Sequence, residues 1–270
     1  MESITKFIAA ILIASVFCAC GVDDPSGMDT TGKAPDMEGD WQLVLVPLEG
    51  DCPLLSKGLA IHSPLNIPDV KQDGNNISAA FTVSGTDYIL TGNIVFGYLI
   101  AAMQSAGVFI ETIGADADTP IFSGTFNGTE PTGGCSEMGV FIGATRPFAY
   151  PVVTGEWTIT LTGTSSDCED ISDEGDFEKI LPGITATSPL QGAVTATYQD
   201  PAGVVNILTG AAAENRFIAG IYDISVPPAR IAYLDGKIDE NTDTISGKLE
   251  GLLAFPGGDC TVKGTFGISY

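Results

Sequence analysis

The sequence predicts an all-β protein made of two tandem antiparallel up-and-down β-barrels, each with about eight strands. Three observations carry this expectation. The chain repeats itself, short β-rich runs punctuate it, and its last four cysteines fall at matching places in the two copies.

The repeat comes first because a missed repeat misreads the whole fold. Gly39-Asp40-Trp41-Gln42-Leu43-Val44-Leu45 matches Gly155-Glu156-Trp157-Thr158-Ile159-Thr160-Leu161 at an offset of 116, which also sets Asp51-Cys52 on Asp167-Cys168. Ile89-Leu90-Thr91-Gly92 matches Ile207-Leu208-Thr209-Gly210 at 118. Phe122-Ser123-Gly124 matches Ile245-Ser246-Gly247 at 123, and Cys135 matches Cys260 at 125. The slow drift reads as small loop insertions. It divides the chain into a first unit, 39–150, and a second, 151–270, each large enough for one small domain.

The strands follow from composition and alternation. The chain has 33 Gly and 16 Pro among many Thr, Val and Ile, a mixture of turn and strand residues. Expected strands in the first unit lie near 41–48, 58–63, 76–83, 86–92, 94–102, 108–114, 120–127 and 138–146. In the second they lie near 157–163, 177–181, 192–198, 203–209, 215–224, 229–235, 243–250 and 261–269. Trp157, Ile159 and Leu161 alternate with Thr158, Thr160 and Thr162, which sets one face on a core and the other in water. Seven or eight such strands make an up-and-down barrel or a compact sandwich.

The cysteines favour the barrel. Cys52, Cys135, Cys168 and Cys260 allow three pairings, and the repeat selects Cys52–Cys135 and Cys168–Cys260, one per unit. Each pair joins the end of a first strand to the start of a last one. Those two strands are neighbours in a closed barrel, so the bond staples the closing seam.

The N-terminus supplies an address. Residues 1–19 hold Lys6, an apolar run from Phe7 to Phe17, and then Cys18-Ala19. The pattern is that of a secretory signal, and the run is short of the roughly 20 residues that a membrane span needs. Ala19-Cys20-Gly21 resembles a bacterial lipoprotein box, with Phe17 and Cys18 as departures from it. That resemblance implies cleavage before Cys20, lipidation of Cys20 and anchoring at the outer membrane of the cell envelope, on a face the sequence leaves open. An exported location also permits disulfides. Residues 20–38, rich in Gly, Pro and acids, read as a flexible tether.

Gly-x-Trp on the first strand of a small β-barrel resembles the lipocalins and the wider calycin group, including the small lipocalin-like barrels of bacterial lipoproteins. Two in-register copies with flanking Cys carry the resemblance over nearly all of 39–270. It implies that Trp41 and Trp157 plug the closed barrel ends and that Arg146 packs over Trp41 as a cation–π contact. The second unit reaches only Tyr270, one position short of a counterpart to Arg146. The resemblance further implies a cup for a small apolar or amphipathic ligand. Its candidate lining is Phe81, Tyr88, Phe96, Tyr98, Phe109 and Phe122 in the first unit, and Tyr198, Phe217, Tyr222 and Tyr233 in the second. A core filled by side chains explains the same residues, and the protein is then a structural or protein-interaction lipoprotein.

Composition narrows the chemistry. With 34 acidic and 11 basic residues the net charge is −23, which disfavours nucleic acid as a partner. The single histidine, His62, removes histidine triads and multi-histidine metal sites. No phosphate loop, dinucleotide fingerprint or nucleophile elbow occurs, so no catalytic residue, cofactor or metal is expected and the protein is read as a non-enzyme. The acidic run from Asp167 to Glu178 partly mimics a calcium loop, but Leu181 stands where the bidentate Glu belongs.

Overall fold

The computed structural model describes residues 35–50, 64–95, 98–105, 109–116, 121–129, 135–147, 149–188, 191–199, 205–223, 231–255 and 258–270. The signal segment, Cys20, Cys52, His62 and Phe96 lie outside these residues.

The protein is all-β. The first sheet contains β1 (Gly39–Gly50), β2 (Leu65–Asp73), β3 (Asn76–Val83), β4 (Thr86–Val95), β5 (Tyr98–Gln104), β6 (Phe109–Asp116), β7 (Ile121–Thr129) and β8 (Ser136–Ala144). Consecutive strands pair antiparallel and β1 returns to pair with β8, so the sheet closes as a barrel. The second sheet contains β9 (Gly155–Ser166), β10 (Gly175–Thr187), β11 (Ala193–Gln199), β12 (Val205–Ala213), β13 (Arg216–Asp223), β14 (Ile231–Asp239), β15 (Thr244–Phe255) and β16 (Gly258–Ser269). It curls in the same order, and β9 pairs with both β10 and β16. Its narrowest join is β10–β11, where only Thr185, Ala186 and Thr187 find partners.

The alternation seen in the sequence places the core. Trp157, Ile159 and Leu161 point inward with Val262, Phe266 and Ile268 of β16. Trp41, Leu43 and Leu45 do the same in the first sheet with Phe122, Phe126 and Phe141. The apolar rows of both sheets therefore face inside, the reverse of an outer-membrane barrel, whose apolar band faces lipid.

The second strand differs from expectation in the first unit, whereas in the second the expected 177–181 falls inside β10. In the first unit it runs from Leu65 to Asp73 rather than over 58–63, which lies outside the described residues. Proline inside a run argues against a strand, and Pro64 and Pro68 flank or interrupt this one. The structure tolerates Pro68 because it sits at a bulge. Trp41 faces Ile67 while Gly39 faces Val70, so three steps on β2 match two on β1. Asp69 turns through a positive φ of 54° there. The second unit repeats the device at Pro182-Gly183: Ile159 faces Leu181, Trp157 faces Ile184, and Gly183 has φ 68°. Bulges of this kind bend a strand and sharpen its twist, which curling a sheet requires. The bulge lies just before Trp41 in one unit and just after Trp157 in the other.

One cross-link is direct. Cys168, just past β9, bonds to the fully buried Cys260 near the start of β16, with Cα atoms 4.1 Å apart. It staples the β9–β16 seam as the repeat predicted. It closes a 92-residue separation, for which the chain-entropy treatment gives about 4–5 kcal/mol. Cys135 is also disulfide-bonded.

Residues 34–270 form one compact unit. Val44, Val46, Leu48, Val140 and Ile142, on the outer face of β1 and β8, pack against Ala193, Ala211, Ala213 and Ile218 on the outer face of β11–β13. Gly192, at φ 79°, brings the second sheet against Val44 and Tyr150, where a Cβ would collide with both. Burial pushes the Tyr150 hydroxyl up to about 12, and that hydroxyl donates to Gln42 Oε1 at 3.5 Å.

Candidate functional site

The interiors of the sheets are where a lipocalin-like cup belongs, and both are lined by close-packed rings. Trp41 and Phe122 lie 4.9 Å apart between centroids, Phe122 and Phe141 6.1 Å, and Phe81 stacks on Tyr88 at 5.5 Å. In the second sheet Trp157 meets Phe217 at 6.1 Å, and Phe217 meets Phe266 at 6.1 Å. Glycines on facing strands receive these rings. A Cβ on Gly143 would collide with the Phe122 ring, and one on Gly139 with the Phe126 ring. This is the interdigitated packing of a protein core.

Each tryptophan is tied to the segment before its strand by the same bond. The Trp41 indole N–H donates to the Met37 carbonyl at 2.7 Å, and the Trp157 N–H to the Val153 carbonyl at 2.9 Å. Met37 and Val153 are themselves buried, at 0% and 2% exposure, so the chain before each first strand joins the core beside its tryptophan. Met37 falls within the expected tether of 20–38. That segment is not all tether, since Gln72 accepts from Met37 N at 2.7 Å and donates to the Pro35 carbonyl at 3.0 Å. The signal was present in the sequence, because Met37 and Val153 both stand four residues before their tryptophan.

The expected lining divides. Phe81, Tyr88, Phe122 and Phe217 are buried in the interiors, and Tyr198 packs against the second. Tyr98 and Tyr233 do not line them. Leu99 and Ala101 point inward on β5, so Tyr98 falls on the opposite face of the pleat. Ala232 and Leu234 point inward on β14, and Tyr233 instead packs against the cluster between the sheets. The side chains of Phe109 and Tyr222 lie outside the described residues.

Arg146 has a different partner from the one the resemblance implies. Its guanidinium forms a forked pair with Glu214, Nη1 to Oε1 at 3.0 Å and Nη2 to Oε2 at 3.2 Å. Glu214 Oε1 also accepts from Ala149 N at 2.7 Å, so this carboxylate ties the linker to the second sheet. Beside it lies a shallow cleft of about 430 Å³ lined by Asp40, Trp41, Gln42, Asn66, Pro68 and Arg146 among others.

One buried polar group escaped the sequence reading. Glu137 begins the inward row of β8 that continues through Gly139 and Phe141. It is 8% exposed, its Oε2 has no hydrogen-bond partner among the described residues, and burial pushes its carboxyl up to about 7. Nothing in the sequence distinguishes it among 34 acids. The acidic run after Cys168 forms a short 3-10 turn, Ile171–Asp173. There Asp170 Oδ1 caps Ser172 N at 3.0 Å, which holds the Asp170 carboxyl below its usual range. Among the described residues no group of three or more His, Cys, Asp or Glu side chains is placed to hold a metal ion.

The structure thus defines a class, an all-β protein of two repeated eight-stranded antiparallel sheets with aromatic interiors. No family model, curated protein or solved structure matches the chain.

Proposed function

We propose that the protein is a lipid-anchored envelope lipoprotein of two tandem lipocalin-like barrels whose interiors are filled, acting as a structural or protein-interaction module. The observation that carries the reading is the ring packing inside both sheets, with glycines at the positions the rings cover. A filled interior supplies rigidity and leaves the outer surface for contacts. The lipid anchor rests on Ala19-Cys20-Gly21, and placement at the outer membrane on the same segment.

A cup in the first barrel is the second reading, and Glu137 favours it. A buried carboxyl on the inward row would hold the polar head of an amphipathic ligand whose tail met Phe126 and Phe141. Native mass spectrometry of the purified protein separates the two. A clean apo mass that is unchanged across a panel of fatty acids and lipids supports the filled barrels. A small molecule carried through purification, and lost in Glu137→Ala, replaces that reading with the cup. Mass spectrometry of the N-terminal peptide should show an acylated Cys20, and an unmodified Cys20 removes the anchor.

A further inference from the structure

The two units meet through different surfaces. The outer row of the β1/β8 seam in the first unit rests on the outer row of β11–β13 in the second. The counterpart of β1/β8 in the second unit is the β9/β16 seam, and the counterpart of β11–β13 in the first is β3–β5. The contact is therefore heterologous. Repeated from molecule to molecule, such a contact propagates into rings or filaments unless something stops it.

Both uncovered surfaces carry a stop. Along the covered seam Val44 pairs with Ile142 and Val46 with Val140. The matching ladder positions on the uncovered seam are Thr160 with Gly267 and Thr162 with Thr265. A valine row has become a threonine row. On the covered β11–β13 face Ala193 pairs with Ala211, and Ala211 with Ile218. The matching positions on β3–β5 are Asn76, Asn93 and Ile100. Asn93 donates to Asn76 at 2.9 Å, so two amides stand where the covered face has two alanines. Docking there strips water from amides that an apolar partner face cannot satisfy. Ile100 consequently stays 44% exposed while Ile218 is 4% exposed. The Arg146–Glu214 pair has no counterpart in the repeat, since Phe96 stands in the sequence where the second unit has Glu214.

We infer that the body carries a docking surface for a second copy of itself, blocked by Thr160, Thr162 and Thr265 at one end and by Asn76 and Asn93 at the other. The occupant this surface fits is the complementary face of an identical chain, and the five polar side chains keep the chain from associating through it.

Two variants open one end each. Thr160→Val, Thr162→Val and Thr265→Val restore the apolar seam, and Asn76→Ala with Asn93→Ala restores the small-residue face. All five positions are outward, and valine suits a strand. Circular dichroism and a cooperative melt establish folding first. If the triple set misfolds, Thr162→Val with Thr265→Val repeats the test on one cross-strand pair. Sedimentation velocity on the chain as processed and purified from the cell then reads the mass. The expected result is monomers for the wild type and for each one-ended variant, a doubled mass in their equimolar mixture, and concentration-dependent higher species when all five changes are combined. Wild-type association abolished by further polar residues on these two faces overturns the inference. So does self-association of a one-ended variant, or a folded mixture that stays monomeric at hundreds of micromolar.

Discussion

The outer faces of β1 and β9, matching strands of the repeat, differ at nearly every position. Both strands turn a tryptophan and two aliphatic residues inward: Trp41, Leu43 and Leu45 in one, Trp157, Ile159 and Leu161 in the other. Outward, β1 carries Val44 and Val46, buried against the second sheet, whereas β9 carries Thr160 and Thr162, which meet water. The inward row answers to a core that both units share. The outward row answers to whatever covers it, and among the described residues only that of β1 is covered. The two units share what both interiors need and differ in what depends on a neighbour.

The largest effects should fall where the two units are alike. Trp41→Ala and Trp157→Ala each remove a buried indole and its bond to the preceding segment. Each is expected to cost about 3–5 kcal/mol in denaturant unfolding. A loss in only one would break the claim that the inward rows are equivalent.

The next test sharpens the contrast. Val44→Asp places a charge between the sheets and should cost about 3 kcal/mol or more, while Thr160→Asp at the matching outer position should change stability by about 0.5 kcal/mol. Equal effects would mean that β9 is covered in solution as β1 is.

Glu137 offers a contrast inside the barrels, because the matching inward position on β16 is the fully buried Val262. The native carboxyl titrates near 7, above its ordinary 4.5. The unfolded chain therefore ionises first as pH rises. Stability is full below about pH 4.5 and is lost as pH climbs to 7. The loss should be about 1–2 kcal/mol after solvent screening is allowed for. Glu137→Gln should flatten that segment of the stability–pH curve relative to wild type, and identical curves would place the carboxyl in water.

A small, salt-sensitive effect belongs to the Arg146–Glu214 pair. Arg146 is half exposed, so Arg146→Ala should cost about 0.5–1 kcal/mol, and less in high salt. A salt-independent loss would indicate packing rather than charge.

Much of this was legible beforehand. The repeat located the two sheets, the Cys168–Cys260 bond and the tryptophans, because duplicated residues at fixed offsets mark places the fold constrains twice. The strand Leu65–Asp73 was missed because Pro68 reads as a breaker, and only a neighbouring strand in register turns it into a bulge. Tyr98 and Tyr233 were misassigned because an aromatic side chain looks the same in sequence on either face of a strand. The contrast between the apolar run Leu43-Val44-Leu45-Val46 and the alternating Trp157-Thr158-Ile159-Thr160 was visible throughout. It separates a strand buried on both faces from one buried on a single face, a distinction that the packing of Val44 and Val46 brought out.

Local chemistry thus determined the strands, their alternation and the cross-linked seam, since each follows from residue type and spacing along the chain. Tertiary structure decided the rest: which faces of β5 and β14 are inside, that the interiors are packed with rings, that Arg146 reaches Glu214, and that Glu137 loses its water. These depend on residues distant in sequence arriving at one place, and burial, unlike periodicity, is a property that no single segment possesses.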